Sequence, residues 1–211
     1  MHIQSTNIAE PRTILWQNQD ITTGIFKTPT SKPIFLGKEG VKEDYVADTR
    51  VHGGYYKACY LFSADHYPYW KKLYPNLEWK WGMFGENLTV NGLNEMQIMV
   101  GDIYKIGNAL VQVTQPREPC FKFGVKFGTQ KVLKQFIAHG FPGTYVCILE
   151  EGVVATNDTI TLISRPEKSL SVAELYSLLF SKDKNQEFLK IAVDLDVLPE
   201  RKRKQLEKFI V

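Results

Sequence analysis

Through the first 165 positions, apolar and polar residues change places at short range, in brief runs broken by Gly, Pro, Asn and Asp. Residues 12–16 (Arg-Thr-Ile-Leu-Trp) and 21–26 are β-prone on either side of the turn formers Asn18 to Asp20. Residues 34–36 end at Gly37. From 88 to 113 strand-like pieces recur, with turns at Asn91-Gly92, Gly101-Asp102 and Gly107-Asn108, and 145–149 and 159–163 continue the series. No βαβ alternation is visible. The pattern therefore predicts antiparallel strands forming a β-barrel or sandwich core.

A helical period shows elsewhere. Ser63 can cap a helix from about Ala64, with Tyr67, Trp70, Lys71 and Tyr74 at helical spacing and Pro75 as its stop. Residues 129–139 put Val132, Leu133, Phe136 and Ile137 on one face before Gly140, and 121–128 read as a loop. Beyond Arg165-Pro166-Glu167 the pattern is wholly helical. Ser171 with Glu174 makes a capping box ahead of Leu175, a second helix covers 186–193, and Pro199 opens a third. The expected class is mainly β (α+β), with residues 1–165 as the core domain carrying peripheral helices. Residues 166–211 form a three-helix extension too small to bury much alone, so it docks on the core.

Charge and composition narrow the functional classes. A net charge of +3 over 211 residues is too mild to imply nucleic-acid binding by itself. Cys59, Cys120 and Cys147 form no CxxC pair and no disulfide framework, which suits a reducing compartment. The first residues lack a signal-peptide pattern, and no apolar run approaches the ~18 residues of a membrane span, so a cytoplasmic protein is expected.

The chemistry concentrates in Thr114-Gln115-Pro116-Arg117-Glu118-Pro119-Cys120-Phe121-Lys122. Two prolines turn the chain out of a strand, and Cys120 follows the second with Arg117, Lys122 and Lys126 nearby in sequence. Cations favour the thiolate, the form that attacks electrophiles and binds soft metals. A buried, inert thiol beside a strand end fits the same residues. A second stretch carries His52-Gly53-Gly54 and Lys57, with Arg50 close by; paired glycines and cations suit an anion, or simply a tight turn. Asn87, after Phe84-Gly85-Glu86, can hold a heterocycle or cap its own backbone. The aromatic residues between Tyr60 and Trp81 suit stacking on bases or packing on a sheet. The four histidines show no zinc spacing, and GxGxxG, Walker A and GxSxG are absent.

Taken in order, His52-Gly53-Gly54…Lys57-Ala58, Phe84-Gly85-Glu86-Asn87, Gly101-Asp102 and Gln115-Pro116-Arg117…Pro119-Cys120 resemble the MOSC domains, named after the C-terminal part of molybdenum-cofactor sulfurase. The helical tail resembles that of the bacterial stand-alone branch called YiiM. The resemblance implies a closed β-barrel holding the molybdenum cofactor (molybdopterin), with Cys120 as the metal ligand and catalytic residue. It implies that His52, Gly53, Gly54, Lys57 and Arg117 bind the cofactor's phosphate, and Asn87 the pterin or an oxo group. The branch is similar to enzymes that reduce N-hydroxylated bases and related small molecules to amines. With no Cys₄ pattern and no flavin fingerprint, electrons would come from a separate flavin or iron–sulfur reductase, for which the basic Arg201–Lys204 run is a candidate dock. The alternative is a carrier of cofactor, or of sulfur as a Cys120 persulfide. Membrane and nucleic-acid partners are not expected, and an oligomer is compatible with the sequence.

Overall fold

A computed structural model describes residues 1–47 and 53–211. Its centre is an eight-stranded sheet. Numbered along the chain, the strands lie side by side as β13 (Ile160–Ser164), β9 (Ile103–Ile106), β10 (Ala109–Pro116), β11 (Thr144–Glu150), β7 (Cys59–Ser63), β8 (Leu88–Asn91), β1 (His2–Ile8) and β4 (Thr28–Thr30). A three-stranded sheet joins β12 (Gly152–Val154), β5 (Ile34–Gly37) and β6 (Gly40–Val41), and a separate hairpin pairs β2 (Arg12–Trp16) with β3 (Gln19–Thr23).

Two features differ from the sequence expectation. The strand order is that of an open sheet, not a closed barrel. Its two flanks approach through one bridge, His2 to Thr159, with Ile3 N donating to Asp158 O (2.9 Å) and Ile160 N to Met1 O (2.9 Å). One pair, β7–β8, is parallel. Parallel neighbours need a crossover, and residues 64–87 supply it. That crossover carries the aromatic helix α1 (Tyr67–Leu73), entered through a single turn whose Asp65 N is capped by Ser63 Oγ.

Strand β7 is buried on both faces. Successive side chains point to opposite sides of a sheet, so Cys59 and Leu61 enter an aliphatic core while Tyr60 and Phe62 enter an aromatic one. The aromatic core takes Tyr67 and Trp70 of α1, Phe123 and Phe127, and Val132 and Phe136 of α3 (Lys131–His139). Outside the sheet there is a third difference: Phe123 lies in the helix α2 (Phe121–Lys126), where the sequence predicts a loop. Phe123 and Phe127 sit one turn apart and bury together, so packing supplies what local propensity does not.

The tail forms α4 (Val172–Phe180), α5 (Gln186–Asp194) and α6 (Glu200–Glu207). The capping box is complete: Glu174 N donates to Ser171 Oγ (3.1 Å) and Ser171 N to Glu174 Oε2 (2.8 Å). Leu175, Leu178, Leu189 and Leu206 join the aliphatic core beneath the sheet. Each buried leucine stabilises the assembly by about 1.5–3 kcal/mol. Among the described residues, no helix is long and apolar enough to cross a membrane.

Candidate functional site

Strand β10 ends at Pro116, which delivers residues 117–120 to the rim of a cavity of about 690 Å³, part of it open to solvent. Cys120 lines this cavity and is half-buried, immediately ahead of α2. Lys57, Asn87 and Arg117 line the same cavity, so four of the residues singled out from the sequence converge. Gly53 and Gly54 are not among its described lining residues. Gly54 has φ 75°, which a side chain disfavours, and it starts the turn Tyr55–Lys57 that carries Lys57 to the wall. His52 lies outside the described residues.

The geometry refines what each can do. Arg117 is buried, with its guanidinium 4.8 Å from the ring of Phe123, 5.1 Å from Tyr60 and 5.8 Å from Phe136. Its Nη1 donates to the Phe84 carbonyl. The arginine is thus embedded in the aromatic core with one side to the cavity. Asn87 is engaged at both ends of its amide: Oδ1 accepts from Tyr60 N (3.2 Å), and Nδ2 donates to Asp44 Oδ2 (2.9 Å) and Asn7 O (3.4 Å). Burial lowers the pKa of Lys57, an effect that Glu118 opposes and Lys202 and Arg201 reinforce.

Sequence reasoning missed two groups here. Lys27 and Asp44 form an ion pair in the cavity wall, with side chains 7% and 3% exposed. Asp44 also accepts from Ala9 N (2.8 Å). No local motif marks either residue, since their partners lie far along the chain. Lys126 of α2 donates to the carbonyls of Ile25 (2.9 Å) and Gly82 (2.7 Å), tying the wall at 23–27 to the helix after Cys120. Burial lowers its pKa to about 7. Glu86, within the Phe84–Asn87 motif, accepts from Gly82 N (2.9 Å), Phe84 N (3.0 Å) and Thr89 Oγ1 (2.7 Å), and so fixes the loop that supports Asn87.

Two of the remaining candidates resolve plainly. Cys59 is buried in the aliphatic core, and burial pushes its thiol well above the ordinary range. The rings of Tyr60, Phe62, Tyr67 and Trp70 are buried and face each other, so they pack in the core, while Tyr69 of the same stretch is exposed.

The cavity's donor set favours one kind of ligand. Among the described residues four cations line it, Lys27, Lys57, Arg117 and Lys122, against two acids, Asp44 and Glu118, each already ion-paired. An anion fits. Among the described residues no group of three or more His, Cys, Asp or Glu could hold a bare metal ion. A single thiol suits a metal that arrives with its other donors attached.

The MOSC domain family model matches residues 48–161. The chain is 38% identical to the uncharacterised Bacillus subtilis protein YflK over 81% of its own length and 76% of that protein. It is 33% identical to a Gibberella moniliformis protein named Reductase over 78% of its own length, but spans only 30% of that longer protein. The crystal structure of YiiM from Geobacillus stearothermophilus superposes with a TM-score of 0.82 at 31% identity, covering 100% of this chain and 99% of that one. A cavity holding one thiol among cations, on this α+β sheet and with this helical tail, belongs to a member of the MOSC domain family in its YiiM-like branch.

Proposed function

We propose that this protein is a molybdenum-cofactor-dependent oxidoreductase that reduces N-hydroxylated bases or related N-hydroxylated compounds to amines. The observation that carries the reading is the lone Cys120 thiol in a cation-rich cavity, where a metal needs donors that the described residues do not provide. Cys120 is the protein's ligand to molybdenum. Bound there, the cofactor supplies its dithiolene sulfurs and a two-electron couple. Lys57 and Arg117 hold its phosphate, joined by Gly53, Gly54 and His52 from the stretch that precedes Lys57 in the sequence. Asn87 acts through Asp44 and the Tyr60 backbone, keeping the Lys27–Asp44 pair in the wall.

Converting an N-hydroxyl group to an amine and water takes two electrons and two protons. Three cysteines cannot build a Cys₄ cluster, so the electrons come from a separate flavin or iron–sulfur reductase. Lys57 stands in the cavity wall, where burial lowers its pKa. The outward face of α6, with Arg201 and Lys204 exposed, offers positive charge to an acidic partner.

The test is molybdenum per chain, by elemental analysis, for the wild type and Cys120→Ser made in a host that synthesises the cofactor. Near-stoichiometric metal in the wild type and a loss in the mutant are expected, followed by N-hydroxylated-base turnover with an added reductase. Equal metal in both proteins would overturn Cys120 as the ligand. Metal in neither, with both folded, would favour a persulfide carrier.

A further inference from the structure

Glu118 lies between Arg117 and Pro119, two residues before Cys120. Its carboxylate accepts a hydrogen bond from Lys202 Nζ at 2.5 Å. Lys202 belongs to α6, 84 positions later in the chain, and its side chain is 10% exposed against 42% for Glu118. A nearly buried ammonium depends on its partner, because water does not compensate it. One helical turn further, Leu206 is sunk in the aliphatic core, so packing of the tail sets where Lys202 stands.

A second tail residue reaches the same segment. Tyr176 of α4 is buried, and among the described residues its hydroxyl has no hydrogen-bond partner. It lies close enough to Arg117 and Glu118 to feel both charges. The α6 helix of the extension therefore reaches Glu118 directly through its ion pair, while α4 packs against β10, the strand that leads into the segment.

We propose that Lys202 is a positioning residue for Cys120. Through Glu118 it fixes the 117–120 segment in the orientation that presents the thiol to the cavity, and this makes the three-helix extension a structural part of the site. The inference rests on the reading of Cys120 as the site's thiol, and it extends the family motif to a residue that no motif contains. The basic run around Lys202 thus has two roles. Lys202 points inward to the site, while Arg201 and Lys204 stay at the surface.

The experiment uses the full chain without cofactor and follows iodoacetamide labelling of each cysteine by mass spectrometry. In Lys202→Met, Cys120 labels about fivefold faster than in the wild type, as expected if losing a partly buried ion pair raises local opening. Hydrogen exchange quickens in residues 117–123. Cys59 and Cys147 remain slow, and Lys202→Arg labels like the wild type. The charge-swapped Glu118→Lys/Lys202→Glu protein returns towards the wild-type rate. Wild-type labelling in Lys202→Met, or acceleration of all three cysteines together, would overturn the proposal. Full molybdenum in Cys120→Ser defeats the cofactor reading and leaves the labelling result standing. Unchanged labelling in Lys202→Met defeats only the role of Lys202.

Discussion

The two faces of β7 look into cores of different chemistry. On the aliphatic face, Leu61, Val146, Ile148 and the tail leucines meet without directional demands. That face could take on three extra helices by adding apolar contacts. On the aromatic face the rings hold polar groups inside the protein. Arg117 lies over three rings, and Tyr67 donates its hydroxyl to Glu86 at 2.5 Å. Aromatic faces attract cations, and buried carboxylates require several donors. The difference shows what the aromatic side adds: its rings carry the buried charge of Arg117 up to the cavity wall.

Three changes would break or sharpen that contrast. The largest effect is expected from Phe123→Ala, which removes a fully buried ring beneath Arg117 and should cost about 3–5 kcal/mol in denaturant unfolding. The matched Leu175→Ala on the aliphatic side should cost about 2–5 kcal/mol. Next, Glu86→Gln keeps the shape but turns an amide donor towards groups that already donate. A loss of about 2 kcal/mol is expected, against less than ~1.5 kcal/mol for the equally conservative Leu175→Met. Equal costs for these two would erase the distinction.

The smallest effect is one of pH. Burial, and then the charge of His66, lowers the pKa of His139 to about 4. The unfolded chain therefore binds the proton more readily between about 4 and the ordinary value of about 6.5. Stability from this group is present above pH 6.5 and is lost as pH falls through about 4. After allowance for partial exposure it amounts to about 1 kcal/mol. Denaturation midpoints at pH 7 and pH 4 should differ less in His139→Gln than in the wild type.

Local signals in the sequence told the truth where the physics is local. The Ser171–Glu174 box, the Ser63 cap, the stop at Gly140 and the turns at Gly92, Gly101 and Gly107 are all visible as residue types, and all occur. The strand β1 was not singled out, although it pairs with both β4 and β8. Its burial is set by strands far along the chain, as is the helicity of residues 121–126. The parallel β7–β8 pair was missed because its crossover contains only a short helix. At the site, Cys120, Lys57, Arg117 and Asn87 stood in recognisable runs and share one cavity. Lys27 and Asp44 come from segments with no local mark, Lys202 comes from a basic run whose composition reads as surface, and only the fold brings them in.

The hairpin β2–β3 pairs with itself and, in the described ladders, with no other strand. It is fastened by side chains instead: Trp16 stacks on Phe121 at 5.0 Å, and the Arg12 guanidinium sits 4.2 Å from the ring of Phe26. Thr23, at its end, and the following Gly24 and Ile25 form part of the cavity wall. A segment fastened in this way can lengthen, shorten or exchange side chains without shifting any register in the main sheet. It is the part of the enclosure most open to diversification, where descendants of one scaffold can come to admit differently shaped molecules while the thiol and its surrounding cations stay as they are.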